Sequence, residues 1–145
     1  MIGNPATAPG EELIRWQARA ARLACEQMTG PTLRILRASV ERASSLPSRP
    51  GWDRKAAAHA ELFRLLADVA GDAAAAGQHG GAPLLRDLML TVGPAASGMI
   101  LGSRQRLLAC LRAGDPDGAA REMREHLHVL HYMERLARHP EVSRR

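Results

Sequence analysis

The sequence predicts an all-α protein, an antiparallel bundle of about six helices, and three observations carry that prediction. Aromatic residues make up only 3% of the chain, namely Trp16, Trp52, Phe63 and Tyr132, whereas strands draw on Val, Ile, Thr, Tyr and Phe. Apolar residues recur at helical spacing in segments punctuated by Gly and Pro. The connections between those segments are short, which forces neighbouring helices to run in opposite directions. A chain of 145 residues with 46% hydrophobic content is the size of one domain and can close a single core, which excludes a multidomain enzyme.

Residues 1–10 carry two Pro and two Gly without an apolar period and read as a flexible lead-in or linker remnant. Glu11 and Glu12 open the first helix favourably against its dipole; Leu13, Ile14, Ala20, Ala21, Leu23 and Ala24 continue it to about Met28, where Thr29-Gly30-Pro31 stops it. The second helix begins at Pro31 or Thr32 and ends before Pro47. Asp53 is the expected cap of a third helix that reaches Gly71, and the Gly-rich run from Gly77 to Pro83 turns the chain. A short fourth helix, Leu84 to about Val92, is followed by Gly93-Pro94, which either kinks it or separates it from a fifth helix that ends at Ala113-Gly114. Asp115-Pro116 restarts the chain in cap-then-proline order, and the sixth helix extends to Arg138 before Pro140. The domain is thus expected over residues 11–138, with 139–145 a flexible basic tail.

The net charge of +5 raises nucleic acid as a partner, but nineteen of the twenty basic residues are Arg, Lys55 being the exception, and they are scattered singly along every helix. Only Ser143-Arg144-Arg145 is locally basic, which is no binding patch. Cys25 and Cys110 sit alone in predicted helices with no CxxC spacing, so they read as two buried thiols and indicate neither a disulfide scaffold nor a zinc knuckle. The longest apolar runs, such as Ala73 to Ala76, fall far short of the ~20 residues a bilayer requires, and MIGNPATAPG lacks the pattern of a secretory signal. The expected location is the cytoplasm, with no membrane contact.

Laying each helix on its 3.6-residue period shows what interrupts the apolar faces. In the third helix the inward set is Ala56, His59, Leu62, Phe63, Leu66, Val69 and Ala70; in the fifth it is Ile100, Leu101, Arg104, Leu107, Leu108 and Leu111; in the sixth it is Ala119, Met123, His126, Leu130, Met133 and Ala137. Three helices each direct one ionisable group inward. Such burial costs several kcal/mol unless the group is paired, solvated or used, so a polar-lined cavity is expected in the bundle. Taken singly, a histidine on an apolar face is more often a core residue bonded to a backbone carbonyl, and an arginine near a helix end can snorkel to water. His128 and His131 share a flank with Arg124 and Arg135, which favours a solvated face over a metal site. His79 and His139 lie in a loop and a terminus, and Met89, Met99, Met123 and Met133 read as core filler.

With these residues in view, the chain from Glu11 to Leu136 resembles the FCD domain, the C-terminal ligand-binding domain of FadR-type GntR transcription regulators. EELIRWQARAARLACEQMTGPTLRIL is similar to the family's first two helices, HAELFRLLADVAGD to the helix ending in an Ala-Gly-Asn turn, and LLACLRAGDPDGAAREMREHL to its "helix, Gly-Asp, Ala-rich start, Met, His-Leu" run. Many members hold a divalent metal with an Asp and three His, to which a carboxylate effector binds. The resemblance places the Asp position on His59 and the three His positions on Phe63, Arg104 and His126. Phe and Arg remove the lone pairs and charge that zinc or nickel needs, so no metal or other cofactor is expected. Arg104 instead suits a carboxylate or phosphate directly, with His59 and His126 as hydrogen-bond partners and Phe63 as a wall.

The resemblance implies an effector-sensing module of a transcription regulator that forms a homodimer and binds a small anionic metabolite. The family's winged helix does not fit in the ten residues before the first helix, so DNA is expected only through a domain outside this chain. The alternative is a free-standing helical ligand-binding or structural dimerisation protein. An enzyme is not expected: Ser44, Ser45, Ser97 and Ser103 lack a His–acid arrangement, and no HExxH, phosphate loop or inward carboxylate pair occurs.

Overall fold

The computed structural model describes residues 9–71 and 81–139. Within them the chain forms six α-helices and no strand: α1 (Pro9–Glu26), α2 (Gly30–Ser45), α3 (Trp52–Ala70), α4 (Ala82–Val92), α5 (Ser97–Ala113) and α6 (Pro116–Arg138), with a 3₁₀ turn at Pro94–Ala96 before α5. Most of the lead-in, the 72–80 segment with His79, and the tail from Pro140 lie outside the described residues.

Local chemistry sets the helix boundaries. Thr29 is extended and its side chain accepts the Thr32 amide at 3.2 Å, capping α2 as Pro31 starts it. Lys55 closes the other end of α2: although only 5% exposed, its ammonium donates to the carbonyls of Ser44 at 3.0 Å and Leu46 at 2.6 Å, placing a cation where the helix dipole is negative. Asp53 does not cap α3. Left-handed Gly51 precedes the helix and Asp53 lies in its first turn, where its charge still favours the N-terminus. Asp115 does cap α6, its carboxylate accepting the Gly118 amide at 3.0 Å. Pro9 and Gly10, read from sequence as lead-in, already belong to α1.

α1 packs most extensively on α6 and also on α3, α2 packs on α3 and α5, and α4 lies between α3 and α6. α1 and α6 run antiparallel, because Arg22 pairs with Asp117 at one end while Gly10 meets His131 at the other. One core joins all six helices, with Leu36, Phe63, Leu66, Leu85, Met89, Ile100, Leu127 and Leu130 fully buried; each such side chain contributes about 1.5–3 kcal/mol of burial. The apolar stripes are narrower than their sequence periods suggest: Leu101, Leu108 and Met133 are partly exposed and Ala137 is exposed. Cys25 is buried, but Cys110 is only partly so.

Candidate functional site

The three ionisable groups that interrupt the apolar stripes are all buried inside the bundle. Arg104 is 1% exposed, His59 2% and His126 3%, and Phe63 is fully buried. α5 packs on α2 and α6, so the Arg104 side chain must cross the core to reach α3. There its Nη2 donates to the His59 carbonyl at 3.3 Å, and its guanidinium carbon stands 4.6 Å from the centroid of the Phe63 ring. That distance is within cation–π range.

Five further polar atoms of the cluster find no partner among the described residues. Arg104 Nε, both ring nitrogens of His59 and both of His126 are buried without a hydrogen-bond partner, a condition that is rare in folded proteins. Arg104 forms no ion pair with a described carboxylate. Burial pushes its guanidinium down to about 9, partly offset by the charge of Glu122, so it remains cationic at neutral pH. Burial first, then the charges of Arg104 and Lys55, push His59 down to about 3. Burial and the charges of Arg104, His59 and Arg106 hold His126 well below the usual imidazole range. The cluster is therefore one cation flanked by two neutral imidazoles, each with a donor and an acceptor to offer.

Sequence reasoning missed Glu122. It lies one turn before His126 and is the carboxylate whose charge Arg104 feels, yet it is committed elsewhere. Its oxygens accept from Arg106 Nε at 2.9 Å and Nη2 at 3.3 Å, and from Ser103 Oγ at 2.9 Å. The i, i+4 spacing to His126 is the signal that could have placed it near the site. The expected hollow takes a different form: all four predicted residues are shut off from solvent. Of the outer histidines, His128 is exposed as expected, but His131 is partly buried and its Nδ1 lies 2.8 Å from the Leu127 carbonyl. His139 follows the last turn of α6.

Four residues with these identities do not provide a metal's donor set, because a phenyl ring has no lone pair and a guanidinium repels a cation. Among the described residues no group of three or more His, Cys, Asp or Glu side chains could hold a metal ion.

The family model of the FCD domain matches residues 17–129, and the chain belongs to that family. FCD domains are the effector-binding, ligand-sensing domains of GntR-family transcription regulators, and the all-α bundle agrees with that fold. No curated protein matches the chain. No single described helix is long and apolar enough to cross a membrane.

Proposed function

We propose that the cluster of Arg104, His59, His126 and Phe63 is the effector site of this FCD domain, and that it takes a small anionic metabolite, a carboxylate or phosphate, without a metal. The observation that carries this reading is a buried guanidinium with no carboxylate partner among the described residues. A structural arginine in that position would be expected to have a counter-ion, since an isolated buried charge costs several kcal/mol. An anionic ligand supplies the missing charge and accepts the idle Nε–H, while the two imidazoles donate to or accept from its remaining oxygens. Phe63 then supports the guanidinium from below.

Because all four residues are shut off from solvent, binding has to be coupled to a movement that admits the ligand, and the Arg104–His59 carbonyl bond is a contact the ligand would compete with. The domain from residue 11 to 138 would act as one sensing and dimerising unit, and no catalytic step belongs to this reading. Calorimetric titration with a panel of small carboxylic acids and phosphate esters tests it. One or more ligands should give a saturable heat that Arg104→Ala abolishes while the circular dichroism spectrum is kept; undiminished binding by that variant would remove Arg104 from the site. Sedimentation of the protein at micromolar concentration should give twice the monomer mass, and a monomer would end the dimer reading.

A further inference from the structure

The arginines that look evenly scattered along the sequence are not scattered in space. Arg15, Arg19 and Arg22 fall at i, i+4 and i+7 on one face of α1, and α6 brings Arg124 and His128 to the same face. Together these side chains wall an open groove of about 890 Å³ along the α1–α6 seam. Its floor is apolar, built by the buried Ile14, Ala18 and Ala120, and the half-buried Trp16 lines it as well. None of the four residues of the buried cluster takes part.

The charge of this groove is unbalanced. Glu11 is the one carboxylate in its lining, against four arginines. Arg22 is paired with Asp117, but Arg15 and Arg124 form no ion pair with a described residue. A neighbouring hollow of about 560 Å³ shares Glu11, Ile14 and His128 and continues past Glu134. That second hollow is mixed in charge, because Arg135 lines it beside Glu134 and Glu134 is paired with Arg138, so the cationic excess lies along the arginine-lined groove itself. Guanidinium groups converging from two helices match an anion with several oxygens and more than one charge. The volume lies in the range of small-molecule pockets, about 300–1,000 Å³, and an indole is a surface on which a flat ring can stack.

We propose that the α1–α6 groove binds a phosphorylated ligand of nucleotide size, with the phosphates held by Arg15 and Arg124, the flat ring laid against Trp16, and Glu11 accepting hydrogen bonds from amino or hydroxyl groups on the ligand. A second copy of the chain is a poor occupant, since it would bring an equally cationic face against this one. A nucleic acid duplex presents a convex row of phosphates, which a trough between two helices meets only at its rims.

The test is calorimetry of the full chain with ADP, alongside fluorescence of the Trp52→Phe protein, in which Trp16 is the only tryptophan. Trp52 is buried, with its ring N–H on the Met89 carbonyl, so calorimetry of the unaltered chain decides the matter if that variant is unstable. ADP should bind saturably and quench Trp16, and inorganic pyrophosphate should compete with it. Arg15→Glu and Arg124→Glu, both on exposed side chains, should each weaken ADP at least about tenfold. Arg104→Ala should leave ADP binding unchanged, which separates this site from the buried cluster. The proposal is overturned if ADP gives no saturable response at millimolar concentration, if both charge reversals leave its affinity intact, or if a short DNA duplex binds where ADP does not.

Discussion

The guanidinium of Arg104 lies over the ring of Phe63 at 4.6 Å while its Nη2 donates to the carbonyl of His59, one turn earlier on the same helix. Two residues of α3 thus hold one side chain of α5 by unlike forces, the ring's quadrupole from one side and a backbone dipole from the other. The ring contact should be measurable on its own. A double-mutant cycle of Phe63→Leu and Arg104→Met, followed by urea unfolding, should show a coupling of about 0.5–2 kcal/mol. A coupling near zero would mean that the ring packs against the guanidinium without attracting it.

Held this way, the charge is still not neutralised, and the consequence is a trade between stability and binding. Arg104→Met keeps much of the volume and removes the desolvated charge, and replacing buried charged groups by apolar ones of similar size often stabilises by about 1–4 kcal/mol. The ligand-free Arg104→Met protein should therefore melt higher than the parent, by roughly 2–4 °C per kcal/mol at this chain length, and should bind no anion at the buried cluster. A drop in melting temperature would mark Arg104 as a structural residue whose contacts outweigh its burial.

Much of this arrangement is legible in the sequence, and the reason is periodicity. Gly and Pro mark nearly every helix end, so the six helices fall within a few residues of their expected limits, and Arg104, His59 and His126 stand out because each breaks an apolar stripe. What periodicity cannot show is which helices touch. The Arg104 side chain bridges helices whose main packing lies elsewhere, and the closed state of the cluster follows from that span and not from any stripe. The same limit hides the arginine-lined groove, since Arg15 and Arg124 are 109 positions apart and share a face only once α1 and α6 lie antiparallel. It also hides Gly51 as the residue before α3: Asp53 has the right chemistry for a cap, but the chain enters the helix two residues earlier.

The two imidazoles make the fold sensitive to acid. In the unfolded chain each titrates near 6.5, whereas in the fold His59 is pushed down to about 3 and His126 is held well below its usual range. His59 faces Arg104 and Lys55, and His126 faces Arg104, His59 and Arg106, so no described anion favours protonation of either. Between pH 6.5 and about 3 the unfolded chain takes up protons that the fold refuses, so the stability present above 6.5 is lost as the pH falls. His59 contributes a slope of about 1.4 kcal/mol per pH unit in that window, and His126 acts in the same direction below 6.5. Urea midpoints measured from pH 7.5 to 4 should be level at first and then fall, and the His59→Leu, His126→Leu double variant should flatten the fall. An unchanged profile in that variant would assign the acid sensitivity to other groups.

The helix that carries His126 depends on a small device at its start. Asp115 accepts the Gly118 amide, and a Cβ at position 118 would collide with that same carboxylate and come within 3.1 Å of Cys110 Sγ. Asp115→Ala should cost about 1 kcal/mol, the usual value of an N-cap. Alanine is worth about 1 kcal/mol over glycine inside a helix, yet Gly118→Ala should destabilise here, because the added methyl evicts the cap. In the Asp115→Ala background the collision is gone and only the yielding thiol remains, so the second substitution should then be neutral or stabilising. Urea unfolding of the two single variants and the double variant measures this change of sign. If Gly118→Ala costs the same in both backgrounds, the carboxylate is not what excludes a side chain at 118, and the packing of Cys110 is.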